Sequence, residues 1–458
     1  MLMPSCSSRL AEFVTCLSFE DIPVPVVEKA KATVLDTIGC ALAGFGSQAT
    51  KAALRVIEQI GGRGEASIIG INEKTSTVNA AFVNGIMSKC YDFDGPQIGG
   101  HNSPIVIPLT FALAEQQNLS GKKVIEGVVA GIEVMGRVSK ALGPEHQVPH
   151  GFHKTSTSGI FGATASAGKM LKLNQEQMMD ALGIAGSCVG GTDAYMQPGG
   201  AWTNSLHCGK PASDGILCAM LAQEGFTGPK WILEGIDGVL QCYSPRETTD
   251  PAALVDGLGE KWYFGENLVG YKRFACCGSM HPCLEAFNKL LLENGIDPDT
   301  IGEVTVWSGF SNYKFNCTPL ESKVAPASIV EGIFSMPFCL GMLAYRREIT
   351  PAQWVEEAIL KDGKILSLAK KVNCLVLYDV EPEKVRIDIR TLDGRLYSVS
   401  GAFRQPFALP EFEAKFLKNN SVTNILTDDK AKEVLTIVKK LDRLSDLNDL
   451  IDLLSKRK

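Results

Sequence analysis

The sequence predicts a mainly α-helical protein, because apolar residues recur at helical spacing over most of its 458 residues. Alternating, strand-like segments begin only after about Gly270, and the chain becomes helical again from about Asp428. We therefore expect a helical domain up to about residue 265 and an α+β segment after it. The amphipathic C-terminal helices are expected to pack back onto the helical domain.

The helical part contains several recognisable helices. Pro25 can occupy the first turn of a helix, and the apolar stripe that follows it consists of Val26, Val27, Ala30, Val34, Ile38 and Ala41. Further helices are expected over about 124–142, from 155–158 onward and over about 216–225. The helix that begins near Thr155 has small residues at every fourth position, Gly159, Ala163 and Ala167. Because small residues let a neighbour approach closely, this helix is expected to be central and buried.

The α+β segment is predicted from two alternating regions and a turn. Glu303–Trp307 alternates like a strand, and Val385–Arg390 does so again. Asp393-Gly394 is a tight-turn signal, after which Leu396–Val399 can return as a partner strand. Helices are expected between the two regions, around 283–294 and 335–344.

The composition is that of an ordinary soluble globular protein and excludes several classes. A net charge of -6 argues against a nucleic-acid partner, which would require a basic face. No apolar run is long enough for a transmembrane helix, and the N-terminus lacks the pattern of a secretion signal. The 14 cysteines are scattered along the chain, which favours buried reduced thiols. We therefore expect a cytoplasmic protein with no membrane partner.

No metal or organic cofactor is expected. The chain has no Cys-x-x-Cys pair and no iron–sulfur spacing. It also lacks a phosphate-binding P-loop and a dinucleotide fingerprint in a strand–turn–helix context. His146, His150 and His153 would share one face of a helix and could bind zinc there, but Pro144 and Pro149 make a regular helix improbable.

Only six histidines are present, and most of them lie beside glycine, proline or serine in irregular stretches: His101, His146, His150, His153, His207 and His281. Imidazole titrates near neutral pH, and loops held by a rigid scaffold carry a large share of catalytic groups. The pattern predicts one polar site that is assembled from several distant loops.

Two of these stretches indicate acid–base chemistry. Asp92 and Asp94 precede His101, and two carboxylates with one imidazole can share a proton or orient a base. A capping aspartate in an Asx-turn loop would give the same pattern. His153 immediately precedes a helix start, where backbone N–H groups favour an anion, and a simple N-cap loop explains it comparably well.

Three cations and a thiol beyond residue 200 could bind an acidic substrate. Lys272 and Arg273 precede a glycine-containing turn and could clamp a carboxylate, or form a charge pair at a domain junction. Lys210 could bind a carboxylate, although solvation is the commoner state of an isolated lysine. Cys277 could act as a nucleophile beside His281, and a buried thiol would look the same.

These motifs occur in an order that resembles one protein family. The order is Asp92-Phe93-Asp94 with His101 and Pro108, Gly151-Phe152-His153-x-Thr155-Ser156, Ala181–Ala185, Leu206-His207-x-Gly209, Leu221–Pro229 and Lys272-x-Phe274-x-x-Cys277-x-x-x-His281. Over nearly the whole chain it resembles the MmgE/PrpD family of 2-methylcitrate dehydratases, cis-aconitate decarboxylases and iminodisuccinate epimerase. The resemblance implies a helical domain over 1–268, completed by 405–458, with an inserted α+β lid over 269–404. It also implies a homodimer that needs no metal or organic cofactor.

The resemblance places the candidate site residues in an acid-binding cleft. His153 is expected to be the general base or its acid counterpart, and His101 its partner across the cleft, oriented by Asp92. Asn204 and Phe338 stand where the resemblance implies a lysine and a tyrosine in the decarboxylases, which counts against decarboxylation of cis-aconitate. The expected substrate-binding residues are Lys272, Arg273, Asn204, His207, Lys210, Cys277, His281 and Phe338.

The chemistry that the resemblance implies is loss of a proton beside a carboxylate. Such a step needs nearby positive charge and hydrogen-bond donors in a site that excludes water. The leading prediction is a cofactor-independent lyase, a dehydratase that acts on a small di- or tricarboxylic acid. The alternatives are an epimerase or isomerase that uses the same proton abstraction, a cis-aconitate decarboxylase-like enzyme, and a non-catalytic acid-binding protein.

Overall fold

The structure is a computed structural model, and it describes residues 5–266, 270–378, 380–381, 383–403 and 406–455. Both predicted domain boundaries, at 268/269 and at 404/405, lie outside the described residues and stay predictions.

The described chain is mainly helical, which confirms the predicted fold class. The N-terminal part contains α1 (Cys6–Cys16), α2 (Val24–Gly44), α3 (Gln48–Ile60), α4 (Thr77–Lys89), α5 (Ser103–Gln117), α6 (Gly121–Ala141), α7 (Lys154–Met170), α8 (Gln175–Gly186), α9 (Thr203–Gln223), α10 (Val239–Tyr243) and α11 (Tyr263–Glu266), with the short strands β1 (Ala66–Ser67) and β2 (Lys74–Thr75). Within the described ranges, every helix is too short or too polar to cross a lipid bilayer.

The second part combines a sheet with helices. It contains α12 (His281–Asn294), β3 (Ile301–Gly309), α13 (Phe310–Asn316), α14 (Leu320–Val324), α15 (Ile329–Ile333), α16 (Met336–Arg346), α17 (Pro351–Val355), α18 (Gly363–Ala369), β4 (Val372–Leu377), β5 (Lys384–Thr391) and β6 (Leu396–Ala402). The chain ends in α19 (Leu409–Thr423), α20 (Asp428–Lys439) and α21 (Asn448–Leu454).

Helices α4, α6, α7 and α9 pack closely at the centre of the helical part. As the small-residue spacing predicts, α7 is buried along nearly its whole length. Close approach explains the glycines here, since a Cβ atom at Gly162 of α7 would lie 2.6 Å from the carbonyl oxygen of Gly131 in α6. The tight core gives a rigid base for the loops that precede these helices.

Helix α9 corrects one expectation from the sequence. The polar stretch from Trp202 to Lys210 was expected to precede a helix, with His207 in an irregular segment. It is instead helical from Thr203, and Pro211 lies inside the helix. Tertiary packing stabilises helices more than propensity does, and here Gly209 lets α9 approach α4 so closely that a Cβ atom would lie 2.5 Å from the carbonyl oxygen of Phe82.

The sheet of the α+β part has the strand order β4-β3-β5-β6. Strand β3 is parallel to β4 and antiparallel to β5, and β5 pairs with β6 through the predicted turn at Asp393-Gly394. The buried face of β5 carries Val385, Ile387 and Ile389, and α12 packs against this strand. The predicted hairpin is therefore confirmed.

The C-terminal helices return to the N-terminal part, as predicted. Helix α19 packs against α2, and its Lys415 reaches across to the loop after α4. The Lys415 ammonium group lies 2.7 Å from Oδ1 of Asp36 and donates a 2.6 Å hydrogen bond to the carbonyl oxygen of Phe93. Oδ2 of Asp36 accepts a 3.0 Å hydrogen bond from the N–H of Gly95. The Lys415–Asp36 ion pair therefore holds the Phe93–Gly95 loop through one hydrogen bond from each partner.

Candidate active site

A cavity of about 290 Å³ lies where loops of the helical part meet the α+β part. His101 and His153 both line it, and we call it the His101–His153 cavity. The helical part also contributes Asp92, Gln97, Gly99, Gly100, Gln147, Lys154, Thr155, Tyr195 and Met196, and the α+β part contributes Cys277, Gly278, Ser279, Phe315 and Phe334. The predicted assembly of one site from distant loops is thus observed for His101, His153, Asp92 and Cys277.

His101 lies just before α5 and is held by two carboxylates. Its Nδ1 atom is 2.7 Å from Oδ2 of Asp94, and its Nε2 atom is 3.5 Å from Oδ1 of Asp92. Its backbone N–H donates a 3.1 Å hydrogen bond to Oγ1 of Thr155, which ties the loop to α7. Burial lowers the pKa of His101, although Asp94 opposes the shift. The closer carboxylate is Asp94, so Asp94 rather than Asp92 orients this ring.

Asp92 is fully buried and pairs with two ammonium groups. The Nζ atom of Lys272 lies 2.8 Å from Oδ2 of Asp92 and donates a second 2.8 Å hydrogen bond to its backbone carbonyl. The Nζ atom of Lys89 contacts Oδ1. Burial opposes ionisation, but Lys272 and Lys89 outweigh it and hold the pKa of Asp92 far below its usual range. Asp92 therefore compensates two buried cations in addition to its contact with His101.

His153 is the N-cap residue of α7 and forms a pair with His207 of α9. The two Nδ1 atoms are 2.8 Å apart, and the Tyr195 hydroxyl lies 3.4 Å from Nε2 of His153. Burial, with the neighbouring His207, lowers the pKa of His153 well below its usual value, and burial lowers that of His207 to about 4. Both rings are neutral near pH 7, so one Nδ1 carries the shared proton and the other accepts it.

The two neutral imidazoles suit proton transfer on a small substrate. The ring centroids of His101 and His153 are 6.2 Å apart, and the two rings meet edge to face. Asp94 fixes the Nδ1 proton of His101, which leaves Nε2 as a proton acceptor. The tautomer of His153 follows from which ring of the His153–His207 pair holds their shared proton. The arrangement can therefore present one base and one acid in the same cavity.

Several predicted cations lie outside the cavity lining. Lys272 is buried beneath Asp92 and reaches the site only through that carboxylate. Arg273 lies 2.9 Å from Glu411 of α19 and covers the ring of Phe407, so its guanidinium joins the α+β part to the C-terminal helices. Lys210 is exposed and forms an ion pair within α9. These placements do not favour direct substrate contact by Arg273 or Lys210.

The remaining predicted residues differ in whether they line the cavity. Cys277 lines it, and burial raises the pKa of its thiol. His207 lies behind His153, and His281 is buried with its Nε2 atom 3.1 Å from the carbonyl oxygen of Phe274. Asn204 is fully buried in α9.

Phe338 was expected to face the substrate, but its ring is buried and stacks on Trp354, with centroids 6.1 Å apart. The aromatic rings that the α+β part presents to the cavity are those of Phe315 and Phe334. Phe338 is therefore outside the lining of the His101–His153 cavity. In α16, Phe338 is buried against Trp354, while Phe334, which precedes that helix, lines the cavity.

Three groups in or beside the cavity were missed from the sequence: Lys89, Tyr195 and Lys154. Lys89 belongs to the same short segment as Asp92 and could have been found as the cation three residues before that aspartate. Tyr195 and Lys154 line the cavity directly. Lys154 directly follows His153 in the chain, and this neighbouring position could have identified it as a candidate site residue.

Asp92, Asp94 and His101 could together hold a metal ion, because one ligand atom from each lies within 4.8 Å of the others. Both carboxylate oxygens of Asp92 already contact ammonium groups, however. A divalent cation there would have to displace Lys89 and Lys272 from a fully buried carboxylate and would be repelled by both. The donor set fits a metal poorly.

We therefore expect treatment with EDTA to leave turnover unchanged. The reason is that the ammonium groups of Lys89 and Lys272 already supply the positive charge beside Asp92. The measurement compares initial rates before and after dialysis against the chelator. Loss of activity that one added divalent metal restores would contradict this prediction.

The sequence matches one protein family over nearly its whole length. The MmgE/PrpD N-terminal domain model matches residues 8–252, and the MmgE/PrpD C-terminal domain model matches residues 274–443. A cis-aconitate decarboxylase of Aspergillus terreus (strain NIH 2624 / FGSC A1156) is 28% identical over 98% of this chain and 96% of its own length. Cis-aconitate decarboxylases of Homo sapiens and Mus musculus are 26% and 25% identical, each over 99% of this chain and 95% and 94% of their own lengths. With both family models matched and enzymes as relatives along its whole length, the chain belongs to the MmgE/PrpD family and has a lyase-like enzymatic role.

Proposed function

We propose that the protein is a cofactor-independent lyase that removes a proton beside a carboxylate of a small di- or tricarboxylic acid, and that it acts as a dehydratase. The observation that carries the proposal is the pair of neutral, buried histidines, His101 and His153, in one cavity. Elimination of water needs a base for the proton and an acid for the leaving hydroxide, and two such groups contribute typically ~10²–10⁴-fold each.

The contacts favour His101 as the base. Asp94 accepts the Nδ1 proton of His101 and stabilises the imidazolium that forms when Nε2 takes the substrate proton. His153 then serves as the acid: its neutral imidazole gives the Nε2 proton to the leaving hydroxide, its Nδ1 takes the proton shared with His207 across the 2.8 Å contact, and a solvent proton restores His207.

Decarboxylation of cis-aconitate is the second candidate. The relatives favour it because they are named cis-aconitate decarboxylases. The expectation of poor decarboxylation depended on Asn204 and Phe338, and neither faces the cavity. Tyr195 and Lys154 supply a phenol and an ammonium group to the lining instead. An epimerase or isomerase would use the same proton abstraction and then return the proton from the other histidine.

One screen separates these reactions. The protein is incubated in D₂O with citrate, 2-methylcitrate, cis-aconitate and iminodisuccinate, and the products are analysed by mass spectrometry and NMR. Loss of water supports the dehydratase, release of CO₂ with itaconate formation supports the decarboxylase, and deuterium incorporation at unchanged composition supports the isomerase. Absence of turnover and of binding for every acid would contradict the proposal and favour none of the three.

We further propose a homodimer, which the outer face of α9 supports. Leu217, Met220 and Leu221 are between 43% and 45% exposed there. At the N-terminal end of the same helix, a groove of about 660 Å³ between α3, α4 and α9 is lined mostly by apolar side chains, among them Phe82 and Trp202. Exposed apolar surface of this kind is typical of protein interfaces.

Leu217→Asp is accordingly expected to shift the protein from dimer to monomer, because a charge would be buried in the interface. Light scattering over a concentration series measures the mass of the wild type and the variant. Leu392→Asp is the matched control, since Leu392 is 72% exposed on the hairpin of the α+β part and should leave the mass unchanged. A monomeric wild type with full activity would contradict the dimer.

The fourteen cysteines are all free. Disulfides form and persist in oxidising compartments and are rare in the cytosol. We therefore propose a cytoplasmic location, which a fluorescent fusion imaged in its host cell would test.

A further inference from the structure

Each cation that the sequence assigned to the substrate is already paired with a carboxylate. Lys272 lies 2.8 Å from Asp92, Arg273 lies 2.9 Å from Glu411, and Lys210 pairs with a neighbouring aspartate in α9. Lys89 also pairs with Asp92, so the charges of Lys89 and Lys272 are balanced by Asp92 and Asp94. The buried cluster beneath the cavity is thus close to neutral and offers little net attraction to an anionic substrate.

Lys154 differs from all of these. It is the first residue of α7, it lines the His101–His153 cavity, and it is half-buried. Its ammonium group makes one long contact, 3.4 Å, to the carbonyl oxygen of Ser139. Across the described ranges, no carboxylate forms an ion pair with it. An ammonium group held partly out of water without a counter-charge is unfavourable unless a ligand supplies one.

The position of Lys154 relates it directly to the reacting groups. It follows His153, and the next residue, Thr155, accepts the hydrogen bond from the backbone N–H of His101. The contact with Ser139 lies beside the Gly99 turn, because the Ser139 hydroxyl donates a 2.7 Å hydrogen bond to the Gly99 carbonyl. Lys154 therefore stands at the edge of the cavity where the loops of both histidines meet.

We propose that Lys154 binds a carboxylate of the substrate that lies away from the reacting carbon, so that the substrate carries at least two carboxylates. The inference rests on the proposed function and names the group that recognises the charge of the acid. Gln97, Gln147 and Ser279 line the same cavity and can donate further hydrogen bonds to that carboxylate. Binding at Lys154 fixes the acid with its reacting carbon toward His101 and His153.

The pH dependence of ligand binding should show the titration of Lys154. Burial lowers the pKa of Lys154 to about 8, so the unliganded ammonium group loses its proton as pH rises through that value. The other titratable groups that line the cavity or feel the Lys154 charge hold one protonation state between pH 7 and 9: His101, His153 and His146 stay neutral, the Cys277 thiol and Tyr195 phenol stay protonated, and Asp92 stays ionised.

The test uses propane-1,2,3-tricarboxylate as the probe, since it has neither a hydroxyl group to eliminate nor a double bond. Calorimetry measures its Kd with the wild type, Lys154→Met, Lys154→Arg and the control Lys140→Met. Lys140 lies next to Ser139 but is exposed, and its ammonium group contacts Tyr263. We expect Lys154→Met to weaken binding by about 10- to 100-fold, as loss of a charged hydrogen bond does. Lys154→Arg and Lys140→Met should stay near the wild-type Kd.

Above pH 8, the wild-type Kd should rise by about tenfold per pH unit, because binding then requires uptake of one proton. Lys154→Arg should lack this rise, since arginine stays charged. This comparison needs no methionine variant and therefore holds even if Lys154→Met fails to fold.

Two results would overturn the inference alone. One is an unchanged Kd in Lys154→Met, and the other is an equal loss in Lys154→Arg and Lys154→Met at pH 7. Turnover of an acid in the D₂O screen would still stand in both cases, so the proposed function would survive. Failure of the wild type to bind or turn over any of the acids would overturn both.

Discussion

His101→Ala and His153→Ala are each expected to lower turnover at least about 100-fold, because each removes one of the two proton-transfer groups of the His101–His153 cavity. The rate is measured with the acid that the D₂O screen identifies. His150→Ala is the matched control, since His150 is exposed outside the cavity lining, and its rate should equal that of the wild type. Near-normal turnover in either cavity variant would exclude that histidine from the mechanism.

Substitution of the residues that contact the two histidines should have separate effects. Loss of His101 removes the group that Asp94 orients, and Asp94→Asn should therefore reproduce much of the His101→Ala defect. Loss of His207 leaves His153 in place without its Nδ1 partner. We expect His207→Ala to shift the pH–rate profile, because the neighbouring ring contributes to the low pKa of His153.

Asp92→Asn is expected to lower the free energy of unfolding by about 3–5 kcal/mol, the usual cost of leaving a buried charge without its partner. Two cations, Lys89 and Lys272, lose their counter-charge in this variant. Asparagine is the suitable replacement because Asp92 has a φ of 50°, a left-handed conformation that asparagine tolerates. The measurement is urea unfolding at pH 7, followed by circular dichroism.

The control is Asp256→Asn, which removes one side of an exposed ion pair with Lys261 and should change stability little. The double variant Asp92→Asn with Lys272→Met should recover part of the loss, since one uncompensated cation is removed together with the carboxylate. Stability equal to the wild type in Asp92→Asn would mean that the two lysines are not held as charged groups.

Local patterns in the sequence were enough to predict several elements of this fold. The alternation of Val385–Arg390 and the Asp393-Gly394 turn determine a hairpin from neighbouring residues alone, and the small residues of α7 indicate its central place. Helix α9 was not predicted at its start, because its first residues are polar and precede Pro211. What makes them helical is the approach of α4, and contacts between segments distant in sequence cannot be read from a local pattern.

The candidate site was predictable as a set of loops but not as a set of contacts. His101, His153 and Asp92 were identified, since residue type and loop context mark them. Whether a cation faces the cavity depends on side-chain direction and on which carboxylate is nearer. Arg273 is held by Glu411, which lies far along the chain, while Lys154 has no such partner among the described residues. Asp94 approaches His101 more closely than Asp92 does because of a turn in the backbone, and the Asp92-Phe93-Asp94 sequence alone does not specify that turn.

The hydrogen bond from Lys415 to Phe93 spans 322 positions in the chain. A ribosome synthesises the loop that carries Asp92 and Asp94 long before it reaches the lysine that holds that loop in place. The nascent chain therefore lacks one of the contacts that hold this loop until α19 has emerged. Completion of the site depends on that late helix, and fragments that stop before Lys415 are expected to be inactive.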